Sequence, residues 1–468
     1  MATLPCTIRR GRPLLFGLVL LAGCYGGPTK HEEQARQDFQ ETAKVYRPQN
    51  AKPVLPTLTV DSTLPDLMTY ALLNSPTVEA AFYDWKAAVE SITIARSLPD
   101  PMLSFSTEIT RSIGSLVPTL MTDPAASWPG PGKLGLRGEA AYQDAEKKRA
   151  IFENEMLAAA LAVKRAYYQM WVLEEEIRWT RESLALVDQM EQLALARLAV
   201  GKVTQQDVLR AQMERDRLKT QLASYEDSRG PLAARMRSAL GLGPQQGLPA
   251  FVAHVVPTAP DFTEQSLMEV AYARNPKLKA MRSEVAQAVA LFQLARKNTV
   301  PDFSLGVGTD VKGSPVPLML NFGVTLPVWR SRIAAEIAQG SAAVGVARAK
   351  LSTEELDLAV TFAETAFAWR EADRNARLYG DGLLPKAKAS LESARAGYAG
   401  GLSSFADLLD AQRALLEYRL ANAMAIGQRE IVLSEMSLVI LGRWPEGVGT
   451  VLQPEPSPQA QPAPESRK

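Results

Sequence analysis

The sequence predicts a mainly α-helical fold with a β-barrel part, built by duplicating one unit of helix, β-hairpin and long helix. Three observations predict it. The same residues recur 200 positions apart through much of the chain, two pairs of segments alternate apolar and polar residues after Pro-Asp, and the stretch from Glu139 to Val200 contains neither Gly nor Pro. Sustained self-similarity implies duplication, and period-two alternation implies strands. An unbroken helix of that stretch, at 1.5 Å per residue, would be roughly 90 Å long, which suits a coiled-coil element rather than a compact domain.

The N-terminus comes first. A basic region ends at Arg12, and the apolar run "LLFGLVLLAG" after it is far shorter than the ~20 residues needed to span a bilayer as a helix. Residues 1–23 therefore read as a secretion signal. The run closes on "LAGC", Leu21 to Cys24, which resembles the lipobox of bacterial lipoproteins and makes Cys24 the expected acylation site. Acyl chains contribute about 0.8 kcal/mol per buried CH₂, enough for several on one cysteine to hold the mature N-terminus at a membrane. Tyr25, not Asp, follows, which by the sorting rule of such lipoproteins points to the outer membrane. With Cys6 lost in the signal and Cys24 acylated, neither of the two cysteines remains for a disulfide or a thiolate metal site. Formal charge is +1, and removal of Arg9, Arg10 and Arg12 leaves the rest weakly acidic, so nothing favours a nucleic-acid partner.

After an N-terminal extension at 24–63, the first copy spans about 64–248 and the second about 262–447, joined by a Pro-containing linker at 249–261. Leu67, Met68, Ala71, Pro76, Ala80, Ala88, Val89, Ala95 and Arg96 recur as Leu267, Met268, Ala271, Pro276, Ala280, Ala288, Val289, Ala295 and Arg296. Each copy opens with a helix carrying Asn-Ser-Pro or Asn-Pro and ends its first helical run at Pro99 or Pro301, since proline removes a backbone donor. Hairpins are expected at about 102–121 and 303–328. Leu103, Phe105, Thr107 and Ile109 alternate with small or polar residues; so do Phe303, Leu305, Val307, Thr309 and Val311, and Leu318, Leu320, Phe322, Val324 and Leu326. A soluble sheet gives the same alternation, but neither copy offers a third strand to complete one. Strands of ~9–11 residues with this pattern match a transmembrane barrel, in which every edge is closed. Four strands are too few to close a barrel around water, so the chain must share it with copies of itself.

Coiled-coil helices are expected at about 139–240 and 331–441. Leu184, Val187, Met190 and Leu193 step by three, and Ala158, Ala159, Ala162 and Ala166 permit close helix approach. Turns fall at Gly201 to Thr204 and Gly401 to Ser404, each opening a repeated "G-x5-D-x-L-x-A-Q" segment: Gly201, Asp207, Leu209, Ala211 and Gln212 recur as Gly401, Asp407, Leu409, Ala411 and Gln412. "YGDGLLP", Tyr379 to Pro385, predicts a break in the outgoing helix of the second copy. The tail at 448–468 is Pro-rich and expected to be disordered.

Enzyme chemistry finds no foothold. The two histidines, His31 and His254, have no metal-ligand spacing, and neither a phosphate loop nor a nucleophile elbow is present. Met156, Met170, Met190 and Met213 fall at helical intervals and read as packing residues, and the many carboxylates read as solvated helix faces. No cofactor and no metal site is expected.

The order of these features resembles the TolC-like outer-membrane efflux factors of the lipoprotein type. The resemblance rests on the duplicated turn, on "LPDP" and "VPDF" before the hairpins, on "PGPGKLGLRGEAA" (Pro129 to Ala141), and on "LPVW" (Leu326 to Trp329). It implies a homotrimer whose protomers pool four strands each into a shared 12-stranded transmembrane β-barrel, continued by a trimeric α-barrel that crosses the periplasm and closes at its inner end. It implies the exit duct of a tripartite efflux system, partnered by a periplasmic adaptor, an inner-membrane pump and outer-membrane lipid. The family's gate carries over as Tyr398 of "GY", the constricting Asp407 and Asp410, and Asp207, toward which the family's Tyr reaches; Ser403 stands where some members carry Arg. The tips Gly201, Lys202, Val203, Thr204, Gly401, Leu402, Ser403 and Ser404 become the adaptor-docking surface.

Turn chemistry alone also explains those tips, with Gly as C-cap and Thr204 or Ser404 as N-cap. Asp407 and Asp410 share a helical face; they read either as carboxylate rings in a trimer or as solvated positions, Asp407 favouring the positive end of its helix. The competing function is a lipid-anchored periplasmic coiled-coil scaffold that conducts nothing, which would have no need of paired hairpins. Trp128 to Lys133 is faintly similar to members paired with heavy-metal pumps.

Overall fold

The computed structural model of the chain describes residues 29–100, 102–112, 115–248, 255, 264–310 and 318–442. The signal expected at 1–23, the expected acylation site Cys24, all but one residue of the expected linker at 249–261 and the tail expected at 448–468 lie outside the described residues. The first copy runs through α2 (Leu64–Asn74), α3 (Pro76–Arg96), β1 (Met102–Ser112), β2 (Ser115–Trp128), α4 (Lys133–Ala199) and α5 (Gln205–Ala239), preceded by α1 (Lys30–Tyr46). The second repeats the order as α6 (Glu264–Arg274), α7 (Pro276–Lys297), β3 (Asp302–Asp310), β4 (Leu318–Thr325), α8 (Arg330–Arg377), α9 (Leu384–Gly400) and α10 (Phe405–Glu435).

Local chemistry sets the starts of these helices. Thr63 closes a capping box on α2, its backbone N donating to Asp66 Oδ2 at 2.8 Å and its Oγ1 to the same oxygen at 2.6 Å. Such a box satisfies donors that the first turn leaves orphaned. Pro76 and Pro276 open α3 and α7, where the missing N–H costs nothing.

Contacts divide the chain into two compact units. One gathers the described parts of Met1–Glu41, Tyr83–Arg149 and Ala280–Leu351 and holds a single sheet in the order β1-β2-β3-β4, antiparallel throughout. The pairing of β2 with β3 joins the two hairpins: Trp128 lies opposite Phe303, Ala126 opposite Leu305 and Ala125 opposite Gly306. Beyond it Phe303 faces Val324 and Leu305 faces Phe322, so the apolar positions of neighbouring strands share one side, and Phe303, Leu305, Leu320, Phe322 and Val324 are exposed there. Among the described strands β1 and β4 each have one partner and form the edges. At the foot of this sheet the two sequence motifs meet. Lys133 Nζ donates to Asp302 Oδ1 at 2.8 Å and Gly130 N to the same oxygen at 2.6 Å, tying "PGPGK" of one copy to "VPDF" of the other. β2 runs on to Trp128, past the end expected near residue 121, because Pro118 and Pro124, which cannot donate to a ladder, disguise it as loop.

The other unit gathers the described parts of Thr42–Phe82, Ala150–Lys279 and Ser352–Lys468. Leu67, Met68 and Ala71 of α2 pack with Leu157, Ala160, Leu161 and Tyr168 of α4, Met236 of α5, and Leu438. Asn74 Nδ2 donates to Leu240 O and Gly241 O, both at 3.0 Å, and Asn275 Nδ2 to Val439 O and Ile440 O at 3.1 and 3.3 Å. Each asparagine of the duplicated Asn-(Ser)-Pro segment thus satisfies carbonyls at the end of its copy's returning helix, the groups that a helix leaves unpaired.

The break expected at Tyr379 to Pro385 takes the form of a π-helical turn. Leu378–Leu383 separate α8 from α9, and Leu384 N reaches back five residues to Tyr379 O. A widened turn takes in Pro385 while the chain stays helical, since the donor that proline lacks is not required.

Candidate functional site

The two repeated turns adopt one conformation. Gly201 and Gly401 have φ of +71° and +78°, a left-handed backbone that glycine enters without a Cβ penalty. Gly201 N donates to Leu198 O at 2.9 Å and Lys202 N to Arg197 O at 3.0 Å; Gly401 N donates to Tyr398 O at 3.2 Å and Leu402 N to Gly397 O at 2.8 Å. This paired pattern closes a helix C-terminus.

The returning helices then begin alike. Ser404 N and Oγ donate to Asp407 Oδ2 at 2.9 and 2.7 Å, and Asp407 N donates to Ser404 Oγ at 3.1 Å. Thr204 N and Oγ1 donate to Asp207 Oδ2 at 3.4 and 3.3 Å. Asp207 and Asp407 are therefore capping carboxylates first. The Ser404 hydroxyl, and then its backbone N–H, hold the Asp407 carboxyl below its usual range. Asp410, one turn on, is exposed, with its Oδ1 3.6 Å from Arg413 Nη1. Of the tip residues, Lys202, Thr204, Leu402 and Ser404 are exposed, whereas Val203 and Ser403 are half-buried. Ser403 Oγ donates to Ala394 O at 3.0 Å, so this side chain is spent on its own turn.

Beneath both turns Met190, Ala194, Val208, Ala211, Tyr398, Phe405, Leu408 and Leu409 form one apolar cluster from α4, α5, α9 and α10. Tyr398 meets Phe405 edge-on at 5.6 Å. Arg197 of α4 crosses to the second copy: its guanidinium lies 4.4 Å from the Tyr398 ring centroid, and Nη1 and Nη2 donate to Tyr398 O and Ala399 O at 2.6 and 2.8 Å. A cation on the last carbonyls of a helix also suits its negative end. The reach from Tyr398 to Asp207 expected from the resemblance is not made within the chain. Tyr398 Oη is buried without a hydrogen-bond partner of normal geometry among the described residues, while Asp207 turns to its own cap. Burial pushes the Tyr398 phenol up, the charge of Arg197 opposing and that of Asp207 adding.

One turn deeper, Glu214 of α5 is buried and ties the two returning helices together. It accepts from Arg413 Nε and Nη2 at 2.9 and 2.6 Å, and Arg217 Nε lies 3.2 Å from it. Burial pushes its carboxyl up, but the hydrogen bonds from Arg217 and Arg413 outweigh it and hold it below the usual range. The repeated glutamines both reach α4, Gln212 Nε2 donating to Glu191 Oε1 at 3.0 Å and Gln412 Nε2 to Ser183 Oγ. Arg197, Glu214 and Arg413 escaped the sequence reading. A signal existed, since they stand where the copies differ: Gly397, Ala414 and Met213 occupy the matching places. Among the described residues no group of three or more His, Cys, Asp or Glu could hold a metal ion.

The family model described as outer membrane efflux protein matches residues 67–242 and 267–438. The cobalt-zinc-cadmium resistance protein CzcC of Cupriavidus metallidurans is 22% identical over 377 residues, 78% of this chain and 87% of that protein. The outer membrane efflux protein BepC of Brucella suis is 22% identical over 413 residues, 82% and 86% of the two. Among solved structures, the outer membrane protein VceC of Vibrio cholerae superposes with a TM-score of 0.70 at 18% identity, covering 81% of this chain and 96% of that one.

Proposed function

The chain belongs to the outer membrane efflux protein family, and from that premise we propose that three copies assemble into one continuous duct for outward transport. It is the outer-membrane channel of an efflux system, carrying substrate to the exterior. The observation that carries the trimer is the sheet. Pairing of β2 with β3 makes four strands with two unsatisfied edges, and a barrel within a bilayer tolerates none. Four strands cannot enclose water, whereas three copies supply twelve, inside the range of even-numbered antiparallel barrels. Exposed Leu320, Phe322 and Val324 then face lipid, as apolar positions do on the outside of such barrels.

The helices of the three copies continue the duct through the periplasm, and its narrow end lies at the duplicated turns. Threefold symmetry makes Asp407 and Asp410 two rings of three carboxylates, with Tyr398 and Asp207 beside them. Like charges held close attract cations and raise one another's pKa. The six tips around Gly201 and Gly401 dock a periplasmic adaptor, which connects the duct to an inner-membrane pump, and acylation of Cys24 anchors the N-terminus in the outer membrane. Kinship with CzcC, together with the Trp128 to Lys133 segment, favours divalent metal as cargo, and a shift in metal tolerance on deletion of the gene tests it.

Single-channel conductance of the mature protein in planar bilayers, beside the Asp407→Ala/Asp410→Ala variant, tests the gate. The expected result is a small cation-selective conductance that rises and loses selectivity in the variant. Identical behaviour of the two would remove the carboxylate rings from the gate; absence of any pore would remove the duct.

A further inference from the structure

The apolar side of the sheet does not stop where β4 ends. Leu320, Phe322 and Val324 alternate along the strand, and Leu326 and Val328, which continue the alternation past it, are exposed as well. Trp329 follows and is 72% exposed. Tryptophan is highly buried on average, so a ring this open asks for a partner. Its apolar body and polar N–H suit the boundary between hydrocarbon and water.

Past the strand ends the surface turns basic. Arg330 and Arg332 open α8, and Arg296 and Lys297 close α7 just before β3. Arg137 lies one turn along α4 from Lys133, on the same face, and Lys133 is bonded to Asp302 at the head of β3. These five cations are exposed. Lys297 Nζ lies 3.8 Å from the position of a Cβ built on Gly132, so the end of α7 sits beside the start of α4. The neighbouring acids are mostly spent: Asp302 on Lys133 and Gly130, Glu336 on Asn298 and Arg332, Glu139 on His31 and Gln143. Arg332 donates from Nε to Glu336 yet its side chain is 75% exposed. Asp100 is also exposed, and one carboxylate leaves positive charge in clear excess.

We propose that this basic collar, set below the exposed Trp329, binds the phosphates of anionic phospholipid at the periplasmic edge of the barrel. The order along the chain matches the order within one membrane leaflet: apolar strand positions at the acyl chains, Trp329 at the boundary, cations at the phosphates. Arginine suits the last of these, because its planar fork meets a phosphate with two parallel hydrogen bonds, and long basic side chains can lay their stems on apolar surface while the head stays wet. The inference rests on the membrane-spanning barrel proposed above and adds to it a preference among lipids.

Native mass spectrometry of the purified mature protein in detergent, titrated with phosphatidylglycerol or phosphatidylcholine, tests it. Wild type is expected to retain phosphatidylglycerol in preference, and Arg296→Gln/Lys297→Gln/Arg330→Gln to bind that lipid roughly tenfold more weakly at low salt with phosphatidylcholine little changed. High salt should erase the wild-type preference. Lys219→Gln/Arg374→Gln/Lys386→Gln removes as many exposed cations from other helices and is expected to keep the preference. A collar variant that retains phosphatidylglycerol like wild type, or a control variant that loses it equally, would overturn the lipid site and leave the barrel standing. Wild type that forms no pore in planar bilayers of either lipid would overturn the barrel itself.

Discussion

Arg197 grips Tyr398 at two points, its guanidinium 4.4 Å from the ring centroid and its Nη1 donating at 2.6 Å to the carbonyl of the same residue. The contact joins the outgoing helix of the first copy to the last turn of its counterpart in the second, immediately under both tips. Arg197→Ala removes two charge-assisted hydrogen bonds and the ring contact, and a loss of roughly 2 kcal/mol is expected. Arg197→Lys should recover less than half of it, because lysine lacks the planar fork. Denaturation midpoints of the purified protein check the ranking; a lysine variant equal to wild type would mean that charge alone matters there.

The Ser404 cap gives a prediction with a pH signature. Ser404→Ala is expected to cost about 1 kcal/mol of stability and to let the Asp407 carboxyl titrate at higher pH, as its main hydrogen bond is lost. The sign follows from linkage: a carboxyl depressed in the folded state contributes stability that is complete above its unfolded value, about 3.9 for Asp, and disappears as pH falls through the lower folded value. The gap between wild type and variant should therefore be widest at neutral pH and narrow in strong acid to the part owed to the Asp407 N–H bond to Ser404 Oγ, which does not titrate. Carbon-13 titration of Asp407 reads the shift directly, and an unchanged titration curve would refute the cap as its cause.

Much of this was legible because glycine, proline and capping residues are local signals. Gly201 and Gly401, Thr204 and Ser404, and the Pro-Asp pairs act on the backbone within a few residues, and the duplication displays each of them twice. The β2 to β3 pairing was not legible, since Trp128 and Phe303 meet only after the two copies come together. Arg197 and Glu214 were hidden for another reason. A charged residue on a long polar helix reads as solvated, and only a partner on a distant helix makes it a clasp. The interruption at Tyr379 was legible from Gly380 and Pro385, which weaken an α-helix, but its form was not, since both are compatible with a widened π-turn.

Glu214 links the two returning helices through charge. Its carboxylate is buried, while Arg217 and Arg413, which donate to it, are about half-exposed, so water screens the charges that Glu214→Gln leaves behind. Loss of these charge-assisted hydrogen bonds is expected to cost about 1–2 kcal/mol. Since the folded carboxyl lies below its ordinary range, its contribution is complete above about pH 4.3, the unfolded value for Glu, and is lost as pH falls through the folded value. Acid denaturation of wild type beside Glu214→Gln measures this. A variant as stable as wild type at pH 7 would show that the cluster is dispensable.

Two glycines with the same backbone conformation separate strain from crowding. Gly201 has φ of +71° with nothing within 4 Å of a built Cβ, whereas Gly241 has φ of +68° and a Cβ there would lie 2.7 Å from the backbone oxygen of Asn74. Gly201→Ala should therefore cost only the left-handed penalty, about 1–2 kcal/mol. Gly241→Ala should cost that and more, because the clash is with main chain that cannot swing aside. It should also displace Asn74 from Leu240 O and Gly241 O. Thermal midpoints of the two variants make the comparison, with Asn74→Ala as reference for the lost hydrogen bonds. Equal costs at the two glycines would mean that the α2 end and the α5 end do not press together as described.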